Sequence, residues 1–200
     1  MKADRRDEHK GVTSGRPRDP RIDAAILGAT ADLLVEIGYS SLTMAAVAER
    51  AGTTKTALYR RWSSKAELVH EAVFPTTPTA LTAPEGDVVS DVRAMIAAAR
   101  DVFANPVNRA ALPGLIADMV ADADLNARVM SRFIGLFEVV RDRMQHGIER
   151  GEVHADVDPQ RLIEIIGGAT LLRMLLAPER ELDETWVDQT TAIVVHGVKA

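Results

Sequence analysis

Apolar residues recur at three- and four-residue intervals over most of this chain, and the rhythm breaks where Gly, Pro or Asn intervene. That spacing predicts helices almost everywhere. Ile22, Ile26, Ala29, Leu33 and Ile37 stripe a first helix, entered through Asp19 as N-cap with Pro20 behind it, and stopped at Gly38. A turn over residues 39–42 follows. Thr43 can then cap a helix of about two turns that ends at Ala51-Gly52. Thr54 can cap a third helix running to Trp62, and Ser64 with Glu67 three residues on forms a capping box for a fourth, ending near Phe74-Pro75.

"PTTPTALTAP", residues 75–84, holds three prolines and no charge, so it reads as a connection between domains. Beyond it, Val88, Val92, Ile96, Ala99 and Phe103 stripe a helix that stops near Asn105-Pro106. Leu112, Leu115, Ile116 and Met119 stripe a shorter one around Pro113-Gly114. Leu125, Val129, Phe133, Leu136, Val140, Met144 and Ile148 then predict one long helix reaching Gly151. "GEVHADVDP" makes a turn, with Asp158 as cap and Pro159 at the first helical position.

Residues Leu162 to Ala177 are apolar on nearly all sides, so this helix needs neighbours on two faces. Gly167, Gly168 and Ala169 would allow another helix to cross closely. Val187, Thr191, Val194 and Val198 form a matching stripe on the last helix. These features predict a four-helix homodimer interface from residues of about 160–176 and 184–198 of each chain, with Ile165, Gly168, Leu172, Val187, Thr191, Val194 and Val198 at the contact. An ordinary monomer core is the alternative.

Charge separates the two parts. The chain has a net charge of −5, but residues 1–74 carry 12 Lys+Arg against 10 Asp+Glu, leaving 12 against 19 for the remainder. Polyphosphate would be repelled by the larger part, so any nucleic acid should meet the N-terminal one. There, two short helices flank a turn at Gly52, with small Ala48 one turn earlier, in the pattern of a helix-turn-helix. On the third helix Leu58 and Trp62 share a face directed at the core. The other side presents Thr56 and Arg60, flanked by Lys55, Ala57, Tyr59 and Arg61, and no Asp or Glu falls between Ala51 and Ala66. A solvated surface accounts for such a face in isolation. Its place on a recognition-helix candidate, preceded by an arm with Arg5, Arg6, Lys10, Arg16 and Arg18, directs the reading to DNA. The arm's "SGRPRDPR" is similar to a minor-groove-reading AT-hook core, with a disordered tail as the alternative.

The run "GYSSLTMAAVAERAGTTKTALYRRWSSKAELV", Gly38 to Val69, resembles the DNA-binding signature of the tetracycline-repressor (TetR) family, and the likeness extends over about 50 residues from Ile22 to Phe74. The resemblance implies an all-α homodimer: an N-terminal three-helix helix-turn-helix DNA-binding domain plus a C-terminal α-helical domain for ligand binding and dimerisation. It places Thr43, Tyr59 and Lys65 where the family contacts phosphates, and Lys55, Thr56, Ala57, Arg60 and Arg61 where it faces base edges. Arg60 and Arg61 are then candidates for guanine contacts. Thr54, as cap, borders the same surface. Three positions depart from the pattern: Leu42 replaces a frequent threonine, Thr56 a frequent glycine, and Trp62 a frequent phenylalanine.

The expected organisation is a flexible basic arm at 1–18, the DNA-binding domain at 19–74, the Pro-rich connection at 75–84, and a regulatory and dimerisation domain at 85–200. Met95, Phe103, Met119, Met130, Phe133, Phe137 and Met174 are candidates to line an effector cavity, because Met and Phe make adaptable apolar walls. The expected partners are a double-stranded DNA operator, a small apolar effector and a second copy of the chain.

The absence of cysteine removes disulfides, thiolate nucleophiles and Cys-ligated zinc. The charged N-terminus is no secretory signal, and no apolar run reaches the roughly 18 residues of a membrane span, so a soluble cytoplasmic protein is expected. No catalytic residue, cofactor or metal is expected. His146, Glu149, Glu152 and His154 match no compact metal motif, and no Gly-rich phosphate loop occurs. A small helical enzyme is therefore the weaker alternative; a constitutive DNA binder without effector is the other.

Overall fold

The computed structural model describes residues 20–74, 86–131, 133–177 and 181–198. The basic arm with Arg16 and Arg18, the Asp19 cap and the Pro-rich connection lie outside the described residues. Among the described residues the secondary structure is helical, in the order α1 (Pro20–Ser41), α2 (Met44–Arg50), α3 (Lys55–Tyr59), α4 (Lys65–Val73), α5 (Val88–Ala104), α6 (Pro106–Ala121), α7 (Ala123–Ser131), α8 (Ile134–Glu149), α9 (Pro159–Leu176) and α10 (Glu184–Val198).

Capping chemistry accounts for most of the boundaries. The hydroxyls of Thr43, Thr54 and Ser64 accept from Ala46 N, Ala57 N and Glu67 N at 3.1, 3.2 and 3.2 Å, each satisfying a donor that the helix leaves unpaired. Asp87, Asn105 and Asp158 cap α5, α6 and α9 in the same way. The Ser64–Glu67 box closes differently from the expectation. Glu67 reaches past Ser64 and accepts from Ser63, from N at 2.9 Å and from Oγ at 2.8 Å.

Two helices differ from the periodicity. Gly38 does not end α1 but kinks it, with φ 72° and ψ 169°, and Tyr39–Ser41 form a further helical turn. The long helix expected from Leu125 to Gly151 is two, α7 and α8. Phe133 sits at the break with φ −90° and ψ −2°, and its ring packs against Phe74 at 5.2 Å and His70 at 5.7 Å between centroids. Phe133 is half-buried against the first core at this break, so the apolar spacing runs through it unaltered.

The buried side chains form two cores, and these do not divide at the Pro-rich connection. The first joins Ile26, Leu33 and Leu34 of α1, Val47, Leu58, Leu68 and Val69 of the next three helices, and also Ala111 and Leu115 of α6 and Leu125 and Val129 of α7. The second joins α5, α8, α9 and α10 through Val92, Ile96, Val140, Met144, Ile166 and Val187. Helices α6 and α7 thus pack on α1 and α4 as parts of one hydrophobic unit. Inside the second core, Arg143 donates to Asp91 at 2.6 Å, a pair in which both side chains are almost completely buried. No helix among the described residues is long and apolar enough to cross a membrane.

Candidate nucleic-acid interface

Helices α2 and α3 are joined by a turn whose backbone leaves little choice of sequence. Gly52 lies at φ 63°, its N–H donates to Glu49 O at 3.1 Å, and Thr53 N–H donates to Ala48 O at 2.9 Å. This is a Schellman ending, and its left-handed residue favours glycine. The turn sets α3 across α2 with Leu58 fully buried and Trp62 nearly so. Regular helix stops at Tyr59, short of the expected Trp62; a final turn, Trp62 N–H to Leu58 O at 3.0 Å, carries the chain on. The indole N–H of Trp62 donates to Glu71 at 2.9 Å and joins the end of α3 to α4.

With Leu58 and Trp62 inward, Lys55, Thr56, Tyr59 and Arg60 face solvent and Ala57 is half-buried. Thr43 and Thr54 are exposed at the starts of α2 and α3. Each hydroxyl uses an oxygen lone pair for its cap, so its O–H proton remains available to an incoming acceptor. Leu42, by contrast, is a core residue at 2% exposure. Its side chain packs in the first core.

Two of the expected cationic contacts are tied to the protein. Arg61 does not join Arg60 on the exposed face: its side chain is 8% exposed, pairs with Asp23 of α1 and donates to Ala57 O at 3.0 Å. The sequence stretch around α3 contains no carboxylate, but the fold brings Asp23 to it from 38 residues away. Arg61 therefore ties α1 to α3, with its guanidinium turned away from the exposed face that carries Arg60. Lys65 donates to Tyr39 O at 3.1 Å and lies 4.1 Å from the Tyr39 ring centroid. An ammonium has three donors, so this anchorage leaves others for a phosphate.

The surroundings hold the frame rigid. Arg50 grips Glu36 through two bonds of 2.9 and 2.7 Å, which hold the Glu36 carboxyl below its ordinary value. Burial pushes the Tyr39 phenol well above its usual range, and the bond to Asp118 adds to this. Burial also raises Glu67, but the bonds from Ser63 and Arg128 outweigh it and leave that carboxyl below its ordinary value.

This arrangement of capped helices, a glycine turn and an outward cationic face agrees with the sequence comparisons. The family model "Bacterial regulatory proteins, tetR family" matches residues 26–72, and "Tetracyclin repressor-like, C-terminal domain" matches residues 82–194. The chain belongs to the TetR family of transcriptional regulators. Among TetR-type relatives, the HTH-type transcriptional regulator YdeS of Bacillus subtilis is 29% identical over 189 residues, covering 93% of this chain and 94% of that one. The HTH-type transcriptional regulator AqdR of Rhodococcus erythropolis is 27% identical over 165 residues, covering 80% and 77%. A TetR transcription regulator from Haloarcula marismortui has the same fold, with a TM-score of 0.71 at 19% identity over 91% of this chain and all of that one.

The TetR regulatory half separates the residues that the sequence grouped. Val187 at 0%, Thr191 at 5% and Val194 at 8% exposure are covered by their own chain, Val187 and Val194 in the second core, so they are not available to a partner. The stripe is apolar because α5 lies on it. Val198 ends α10, and its side chain lies outside the described residues. Ile165 and Leu172 are more than half exposed and share an outward face of α9 with Gly168. Ile193 of α10 is likewise exposed.

The proposed cavity residues are divided between the two cores and the surface. Met119 and Phe133 pack on the first core, Met95 and Met174 are buried, with Met95 in the second core, Phe103 is half-buried, and Met130 is exposed. Only Phe133 and Phe137 stack, at 6.3 Å. The aromatic group that does form, Phe133 and Phe137 with His70 and Phe74, draws half its members from α4 and its C-cap, and helical periodicity gave no sign of it. Among the described residues no group of three or more His, Asp or Glu is placed to hold a metal.

Proposed function

We propose that this TetR-family regulator is a repressor that binds a palindromic operator as a homodimer and is released by a small apolar effector. The observation that carries the reading is the shared first core, in which α6 and α7 pack directly on α1 and α4. A ligand that shifts α6 or α7 therefore acts on the elements that hold α3. The dimer is argued from Ile165, Leu172 and Leu176 on α9, each more than half exposed, which leave an apolar face uncovered in the single chain. A two-fold contact there would set two copies of α3 to read half-sites about 34–36 Å apart. Lys55, Thr56, Ala57 and Arg60 are the base-facing set of this reading. Thr43, Thr54, Tyr59 and Lys65 are its phosphate-facing set.

The test is selection of duplexes by the purified full chain from a randomised pool, followed by thermal-shift screening of an apolar compound library. The expected outcome is a palindromic consensus, and at least one compound that raises the melting temperature while weakening the selected complex. Binding that prefers no duplex over random competitor at moderate salt would refute the DNA-binding reading. A consensus that no stabilising compound weakens would favour a constitutive binder.

A further inference from the structure

Tyr39 is where three helices meet on one side chain. The Gly38 kink, at φ 72°, directs its ring away from the exposed side of α1, and the residue is 7% exposed. Its hydroxyl donates to Asp118 of α6 at 2.5 Å. One turn earlier on α6 the ring lies directly on the backbone of Gly114, where an added Cβ would fall 2.2 Å from Cδ1 and 2.6 Å from Cγ. No side chain fits there. The room for the ring comes from the absent Cβ of Gly114, which follows Pro113 inside α6. On the α4 side, Lys65 donates to the Tyr39 carbonyl at 3.1 Å and holds its ammonium 4.1 Å from the ring centroid.

We propose that Tyr39 is a positioning residue that couples α6 to the Lys65 contact with the DNA backbone. The inference rests on the DNA-binding reading above and adds the connection to it. Lys65 is the first residue of α4, and a flexible four-carbon stem does not hold its charge in place unaided. The carbonyl and the ring face of Tyr39 fix it from two directions. Asp118 and Gly114 in turn fix the ring. A sideways movement of α6 tilts the ring and removes the platform from the ammonium, without any change in the base-facing residues of α3. Strength of grip then changes while sequence preference does not.

The test uses the full chain and the duplex it selects, with binding measured across a salt series for wild type, K65A, G114A, Y39F, and the doubles G114A/K65A and Y39F/K65A. K65A should reduce the slope of log K against log salt by about 0.9 for each protomer. G114A, whose Cβ expels the ring, should reduce it by about as much, and the double should lose nothing further. Y39F keeps the ring but loses the Asp118 bond; it should weaken binding roughly 3- to 10-fold, and that loss should vanish in the K65A background. Losses that add in the doubles would overturn the proposal, as would wild-type slopes in both K65A and G114A. Circular dichroism checks the folding of G114A; should that variant be unfolded, the Y39F cycle decides alone. A wild type that selects no duplex would refute the DNA-binding reading itself, whereas a binding wild type with additive losses refutes only this coupling.

Discussion

Arg60 and Arg61 are adjacent, identical in chemistry, and placed by the fold in opposite surroundings, one exposed and one paired inside, so their alanine variants should separate cleanly. Arg61 is 8% exposed and bonded to Asp23 and to Ala57 O, whereas Asp23 retains 30% exposure. Removing a fully buried ionic partner costs about 3–5 kcal/mol, but water can still reach Asp23 and relieve much of that penalty. A loss of about 1–2 kcal/mol is therefore expected for R61A, equivalent to a melting point roughly 2–8 °C lower in a chain of this size. Since D23A removes the other half of the same pair, D23A/R61A should be little worse than R61A alone. Arg60 faces solvent, so R60A should change stability by no more than about 0.5 kcal/mol. Its cost should appear instead as a loss of about 1–3 kcal/mol in discrimination between the selected duplex and one changed at a single guanine. Thermal denaturation and competitive binding on the same preparations make the comparison. A normal melting point with lost discrimination in R61A would refute the assignment of that residue to the frame.

Two further outcomes are expected. The folded-state Glu67 carboxyl lies below its ordinary value of 4.5, so its contribution to stability is complete above that pH and is lost as pH falls through the lowered value; acid unfolding curves of wild type should accordingly fall more steeply below about pH 4.5 than those of E67Q. Leu172 is 57% exposed on α9, and placing Glu there in both copies of a two-fold contact should raise the dimer dissociation constant on the order of a hundredfold by sedimentation, whereas Val187→Glu, inside the second core, should lower the melting point whatever the oligomeric state.

Local chemistry made the N-terminal half readable. Thr43, Thr54 and Ser64 cap the helices they were expected to cap, and the Gly52 turn and the inward Leu58 and Trp62 follow from spacing that concerns only near neighbours. Small changes were local, such as the Gly38 kink and the early end of regular helix at Tyr59, but the larger ones depended on a distant part of the chain. Arg61 was assigned to DNA because Asp23, its partner, lies on another helix. Val187, Thr191 and Val194 were correctly recognised as apolar-facing, but periodicity identifies a face and not the neighbour that covers it. The break between α7 and α8 left no trace for the same reason, since Phe133 at the break still packs on the first core.

The division of the interior has a practical consequence for grafting. Helix α5 lies in sequence between α4 and α6, yet its buried side chains belong with those of α8, α9 and α10. The polypeptide therefore passes from one core to the other and back before finishing, and no single cut yields two self-sufficient pieces. Exchanging only the first four helices for those of another operator reader would set foreign side chains against Ala111, Leu115, Leu125 and Val129. A working hybrid has to carry matching α6 and α7 surfaces along with the borrowed reading head.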